Sequence, residues 1–458
     1  MKISKLIFNG FLLLAAILVV IPCLQQGMFL DGVNYANVAN NLANGKGTLW
    51  HFTYSETFLN HYTHQLPLMI WSEALFFYLF GDSILIERFF CLLLLILNSW
   101  AIASLWKVSF PEHRSYFGWP LVLWIITPIV FWGFTNNVQE TMMSLCAVVS
   151  ITYVLLYYKT ERIQHLLIGG LFCFLCGFCK GVQGLFPLVA IPFYHFLVQR
   201  KSFWSMIKDQ LWFTFPLVVL SSAVWIYAPS IQMIQDNFND RLKSTFVTSV
   251  QNTTNDRFDL WEALFMELLV PIGLCLLLLI LFSLIFQKVQ LNWQKHSLFF
   301  LVVGLSASLP LIVTLEQRRF YLITSIPFFV IGIAGIFLPL INQLSLKKEA
   351  LRISNWITIT GIVIALSIAS INYNSYKRDE LLLTDVHAIG ELTRNQIISA
   401  DPDLMFHYSL IAYLARNYNI SLDFSGKEEY DYHISNKNDA NVNYLYDGEL
   451  YHLRVRGK

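Results

Sequence analysis

Apolar stretches long enough to cross a lipid bilayer recur along most of this chain, and nothing else in it restricts the fold so strongly. The hydrocarbon interior of a membrane is about 30 Å thick, so a helix needs about 20 apolar residues to span it. No water is available there for unpaired backbone groups, which leaves helices or closed barrels. Charged residues make up 13% of the chain and hydrophobic ones 56%, whereas soluble domains carry about 25% charge. A polytopic α-helical membrane protein is the expectation. The net charge of +1, with no basic tract, gives no footprint for a nucleic-acid partner.

The first apolar run, Ile7 to Ile21, follows Lys2 and Lys5. It lacks a small-residue cleavage site and further apolar runs follow, so it reads as an uncleaved anchor, not a signal peptide. All seven cysteines lie in apolar segments. Cys173, Cys176 and Cys179 have a spacing that invites a metal reading, but inside a membrane helix cysteine behaves as a small hydrophobe.

Spans are expected at about 5–25, 86–106, 119–135, 140–158, 164–179, 182–199, 211–229, 264–287, 297–315, 320–341 and 354–373, about eleven in all. The run 66–81 contains Glu73 and is too short to cross, so it reads as an interfacial helix in a loop. Charge supports that choice. With the N-terminus inside, the inner loops hold Lys107 and Arg114, Lys159 and Arg162, and Arg200, Lys201 and Lys208. Later inner loops hold Lys288 and Lys295, then Lys347, Lys348 and Arg352. Each is basic, as the positive-inside rule asks. Counting 66–81 as a span would turn all later charges outward.

Polar residues then gather on the outer side. The loop 26–85 carries Asp31, Glu56, His61 and His64, and the link 136–140 carries Glu140. Lys180 separates two spans, Arg241, Lys243 and Arg257 lie in the long loop 230–263, and Glu316, Arg318 and Arg319 mark another rim. Ionisable groups are costly at a membrane, so their convergence marks a functional face.

The stretch "FLDGVNYANVANNLANGKG" opens the first outer loop. Asp31 suits a helix N-cap and Asn44-Gly45 suits the exit. Asn34, Asn37, Asn41 and Asn44 recur at helical spacing, opposite a stripe of Tyr35, Val38, Ala39 and Leu42. That pattern predicts a helix lying flat at the outer surface with its apolar side down.

The order of these features resembles the lipid-linked-sugar glycosyltransferases of the GT-C superfamily, in the branch of protein O-mannosyltransferases and lipid A aminoarabinose transferases. Members have a first span, an acid-led "D-E-x-Y-Y" helix, a "K-P-P-L" motif opening a second interfacial helix that ends in "L-F-G", and a span beginning near "R-L". Here these read Asp31-Gly32-Val33-Asn34-Tyr35, Gln65-Leu66-Pro67-Leu68, Leu79-Phe80-Gly81 and Glu87-Arg88-Phe89. The family's acid at the head of a later span is similar to Glu140. Its "T-K-G-P" is similar to Cys179-Lys180-Gly181-Val182, and its "R-Y-L-L-P" run to the segment from Arg319 to Pro327. Gly32 replaces an acid, Gln65 replaces the lysine of "K-P-P-L", and His64 precedes it where some relatives have an acid.

The resemblance implies a donor sugar on a polyprenyl phosphate and inversion at the anomeric carbon. It implies Asp31 as general base toward the acceptor, with Glu140 orienting the acceptor, holding Lys180 or joining a metal site. Lys180, Arg319 and Arg318 would bind the donor phosphate. Tyr35, Glu56 and His64 belong to the substrate loop. His61 and His64, three apart, would allow a divalent metal; some relatives bind one and others need none, so no cofactor is strictly required. The implied partners are the lipid-linked donor, a lipid, glycan or protein acceptor, and the membrane itself. The implied place is a bacterial inner membrane, with the N-terminus cytoplasmic and the C-terminus periplasmic.

Residues 1–373 thus form the expected transmembrane transferase domain and 374–458 a small outer α/β domain. Within the latter, "LTDVHAIGELTRNQ" and "HYSLIAYLARNYN" read as helices, and "NYLYDGELYHLRVR" as a hairpin around Asp447-Gly448. Two rivals stay open. A transporter would place ionisable groups mid-span and show inverted repeats with interrupted helices. A non-catalytic polyprenyl-lipid-binding protein would be indifferent to the loss of Asp31.

Overall fold

A computed structural model describes residues 2–63, 65–199, 202–227, 258–285, 291, 293–313, 317–343, 348–426, 429–437 and 443–455. The chain divides into two compact units. The first comprises Met1–Pro22 and Leu92–Ile371, the second Cys23–Cys91 and Asn372–Lys458.

Among the described residues, six helices are long and apolar enough to cross a membrane: Ile3–Cys23, Ile86–Ser109, Gln139–Thr160, Ile163–Gln199, Phe203–Ile226 and Asp259–Leu284. Shorter apolar helices follow at Lys295–Leu311, Ile326–Ile336 and Asn355–Ile371. The expected run 119–135 is two helices, Gly118–Ile125 and Pro128–Phe134, broken at Thr127. Thr127 has extended backbone because the proline ring after it excludes the helical region. Its hydroxyl still donates to the Leu123 carbonyl at 2.9 Å. The run 320–341 is likewise in pieces, Arg319–Thr324, Ile326–Ile336 and Leu338–Gln343, with Pro327 and Pro339 each second in its piece.

The first unit is built on the antiparallel pair Gln139–Thr160 and Ile163–Lys180, joined at Glu161 in the left-handed conformation. Ser150 donates to the Gly169 carbonyl across this interface at 2.8 Å. Cys173, Cys176 and Cys179 are wholly buried between packed helices, as small hydrophobes. At Gly181, φ of +73° ends the second helix, and the chain turns back as a 3-10 segment, Gly181–Val189. That segment packs so closely that a Cβ on Gly184 would collide with the Cys176 carbonyl.

The second unit holds helices Leu30–Ala43 and Pro67–Phe80 together with a five-stranded sheet. The strands are β1 (Ile397–Ala400), β2 (Ser421–Asp423), β3 (Tyr432–Ser435), β4 (Tyr446–Asp447) and β5 (His452–Val455), in the order β2-β1-β3-β5-β4. β1 runs parallel to β2 and β3, whereas β3–β5 and β4–β5 are antiparallel. Helices Glu380–Thr393 and Tyr408–Tyr418 fall on the segments whose spacing predicted them, and β4 and β5 form the hairpin around Gly448. Residues from before residue 91 and after residue 372 share this unit. Tyr413 Oη accepts from the Met28 N–H at 2.9 Å, and buried Arg416 pairs with Glu87 at 2.7 Å.

The helix of the opening stretch departs from expectation in two ways. Its cap is Phe29, with non-helical backbone, so Asp31 is the second helical residue and not the N-cap. A cap must leave the helical region, and Asp31 lies within it; there its charge still favours the helix N-terminus. The asparagines are also not a solvated face. Asn37 and Asn41 are buried and donate to the Tyr54 carbonyl, each at 2.8 Å, and Asn41 also to that of Thr53 at 3.0 Å. Asn34 accepts from the Tyr54 hydroxyl at 2.8 Å. Tyr35, Val38 and Ala39 are buried too, so the middle of each stripe is covered. The asparagines hold the extended segment around Thr53 and Tyr54 by its backbone carbonyls. The exit is as expected, with Asn44 as C-cap and Gly45 at φ +77°.

Two outcomes follow from these contacts. Asn41→Leu strands the Thr53 carbonyl and removes one of the two donors to that of Tyr54, which should cost about 1–3 kcal/mol, read as a lower melting temperature in detergent, while Asn44→Ala at the exposed exit should cost far less. His387 bonds Gln26 Oε1 through Nε2 and Tyr418 Oη through Nδ1. A ring that donates to Gln26 accepts from Tyr418, which is the neutral tautomer, and burial holds its pKa below the ordinary 6.5. A depressed histidine leaves the unfolded chain binding more protons, so stability should be full above pH 6.5 and fall below it. His387→Gln should flatten that slope in thermal melts taken across the range.

Candidate active site

Glu140 is the second residue of helix Gln139–Thr160, and Lys180 is the last of helix Ile163–Lys180. Because the two helices are antiparallel neighbours, the start of one meets the end of the other. An acid at a helix N-terminus and a cation at a C-terminus are each favoured by the macrodipole. The two side chains pair directly, Nζ to Oε1, with the lysine 8% and the glutamate 1% exposed. Of the three roles open to Glu140, the geometry contains the contact with Lys180.

Aromatic rings close over this ammonium. Nζ lies 3.9 Å from the centroid of Tyr321 and 5.4 Å from that of Phe320. Both rings belong to the 3-10 turn Arg319–Thr324, and Phe320 stacks in turn on Trp132. A cation over an aromatic face gains about 2 kcal/mol or more when desolvated. The polar stretch before Glu140 is buried as well: Thr135, Asn136, Asn137 and Gln139 are each at most 4% exposed. The Gln139 amide has no hydrogen-bond partner among the described residues.

Arg319 begins the same turn, and its Nε donates to Glu267 Oε1 at 2.5 Å. Glu267 is fully buried, and its other oxygen accepts from the Ile129 N–H at 2.8 Å, at the start of helix Pro128–Phe134. One carboxylate thus caps a helix and aims an arginine whose side chain remains half exposed. Arg318 precedes it and is exposed.

The first unit therefore brings Glu140 and Lys180 together with the turn that carries Arg319. Asp31 and Tyr35 lie one turn apart in the second unit, on helix Leu30–Ala43, Asp31 half-buried and Tyr35 buried. Glu56 is exposed, 3.7 Å from Lys46 Nζ, and its N–H donates to Ser421 Oγ at 3.1 Å. His61 is exposed, with its ring centroid 6.2 Å from that of His51. His64, Arg241, Lys243, Arg257 and Glu316 lie outside the described residues. Among the described residues, no three His, Cys, Asp or Glu side chains cluster as metal ligands would.

Glu267, Tyr321 and Gln139 escaped the sequence reading. Glu267 stood inside an apolar run, and an acid within a span was the signal that would have found it. Tyr321 stood inside the Arg319–Pro327 segment without a role assigned to it, and Gln139 gave no signal, since glutamine is ordinary near a span end.

The fold is shared with a solved bacterial membrane protein. The chain is similar to ArnT from Cupriavidus metallidurans bound to undecaprenyl phosphate, with a TM-score of 0.66 and 10% identity over 97% of this chain and 96% of that one. It is similar to the apo state of the same ArnT at a TM-score of 0.64, with 11% identity over 95% of each chain. Within that fold, residues 64–227 match the family model of the dolichyl-phosphate-mannose-protein mannosyltransferases. No curated protein sequence matches the chain.

Removing Lys180 alone leaves the Glu140 carboxylate buried without its counter-charge. Lys180→Met should therefore destabilise by about 3–5 kcal/mol, and Glu140→Gln combined with Lys180→Met by much less. Thermal unfolding of the two variants beside wild type measures the coupling, and equal losses would refute it.

Proposed function

We propose that the chain is an inverting glycosyltransferase that takes a sugar from a polyprenyl-phosphate donor. The acceptor is a hydroxyl or phosphate of a lipid, glycan or protein at the outer face of a bacterial inner membrane. The observation that carries the reading is Lys180: a buried cation, fixed by Glu140 and roofed by aromatic rings, at a helix end in a chain with the full-length ArnT fold.

The chemistry follows from what each group can do. An acceptor oxygen attacks the anomeric carbon, and the bond from that carbon to the phosphate oxygen breaks. The bonding electrons leave with the lipid phosphate, and the acceptor proton passes to Asp31. A positioned general base contributes about 10²–10⁴-fold. Lys180 and Arg319 neutralise the phosphate as its charge grows, which preorganised groups do without reorganising. Their carboxylate partners, Glu140 and Glu267, hold them in place beforehand. Lysine supplies a point charge and arginine a fork that matches two phosphate oxygens. Inversion follows from a single displacement.

The proposed sidedness, with the N-terminus inside and the C-terminus outside, rests on the basic inner loops. The proposed substrate loop contains Tyr35, Glu56 and His64, with His61 and His64 as the pair a divalent metal would use.

The test compares cells lacking the protein with cells carrying wild type, Asp31→Asn or Lys180→Ala at matched membrane levels. Mass spectrometry follows polyprenyl-phosphate sugars and outer-surface glycans. One lipid-linked sugar should accumulate and one glycan should lose that sugar in the deletion. Asp31→Asn should reproduce this, with transfer down about 10²–10⁴-fold, and Lys180→Ala about 10²–10³-fold. Normal transfer by Asp31→Asn would remove the base and favour a lipid-binding role.

A further inference from the structure

A second cationic feature lies within the unit that carries the asparagine helix. A cavity of about 40 Å³ opens between the segment Cys23–Met28, the residues leading into helix Ile86–Ser109, and helix Tyr408–Tyr418. One water needs about 10–15 Å³ on this measure, so the space suits about three waters, or one phosphate or carboxylate group.

Its walls carry two guanidinium groups, Arg88 and Arg416, against one carboxylate, Glu87. Both arginines are at most 5% exposed. Arg88 donates to the Gly27 carbonyl at 2.8 Å. Arg416 donates to Glu87 and to the Asp82 and Ser83 carbonyls, and lies over the Phe77 ring at 4.7 Å. Even so, its Nε–H is buried with no hydrogen-bond partner among the described residues. A buried charged donor without an acceptor is costly, because it has lost water and gained nothing in its place. Positive charge is in excess around the cavity too. Burial, then Arg88 and Arg378, hold the Lys377 ammonium below its ordinary range. Arg378 is 3.2 Å from Asp379.

We infer that this cavity is a binding site for a small oxyanion, a phosphate or carboxylate group, held by Arg88 and Arg416. An anion there would accept from the unpaired Nε–H and offset the surplus charge. The inference does not rest on the transferase reading, because it concerns binding without turnover. All residues that line it belong to the second unit.

Asn417 lines the cavity on the last turn of its helix and allows the charge to be changed without touching either arginine. The experiment titrates inorganic phosphate into the purified full chain in detergent, by calorimetry and by melting temperature at constant ionic strength. Asn417→Asp should bind about tenfold or more weakly than wild type, and Asn417→Lys no more weakly than wild type. A second titration uses dodecyl phosphate. Competition with phosphate, dependent on residue 417, supports an oxyanion carried on a lipid or glycolipid headgroup, and exclusion of dodecyl phosphate supports a free ion. No phosphate binding by wild type, binding unchanged by Asn417→Asp, or equal loss in Asn417→Asp and Asn417→Lys would each overturn the inference.

Discussion

The contact on which the first unit turns is the buried pair of Glu140 and Lys180. Taking two charges out of water costs several kcal/mol per ion, and the mutual attraction repays this only when geometry and further contacts are good. Here the geometry comes from the helical hairpin itself, because antiparallel packing sets an N-terminal acid beside a C-terminal lysine. The rings of Tyr321 and Phe320 add a second source of stabilisation for the cation. Replacing the pair by apolar residues would be the cheaper way to fold. The buried pair is therefore weak evidence for stability as such.

The same device recurs. Glu267 is fully buried and aims Arg319, and Glu87 is buried and pairs with Arg416. Asp209 receives Tyr157 Oη at 2.6 Å and lies 3.2 Å from His195 Nε2. In each case a carboxylate sheltered from solvent fixes the orientation of a polar partner. Low local dielectric strengthens such contacts and makes a missing partner costly. That is why Lys180 and Arg319 are each held by a buried carboxylate.

Much of the fold was legible because bilayer thickness and helix rise are fixed lengths. Apolar runs located the helices, and Gly181 and Glu161 fell where the chain turns. Proline breaks were less legible: Pro128 stands in the sequence, yet a hydropathy window reads through it, so 119–135 looked like one span. The asparagine helix shows the commonest way such reading fails. Polar residues on one face usually meet water, and no local rule reveals that Tyr54 and its neighbours would cover them. Asp31 was read as a cap from its type and place, but the cap is set by backbone angles, and those belong to Phe29.

The sequence by itself determined that this chain crosses a membrane, where its apolar helices run and which ionisable residues were too costly to be incidental. Those conclusions need only composition, length and order along the chain. Only the tertiary structure decided which charges neutralise one another. Lys180 meets Glu140 across 40 positions, Arg319 meets Glu267 across 52 and Arg416 meets Glu87 across 329. Coulomb energy depends on distance in space and on burial, and sequence separation specifies neither.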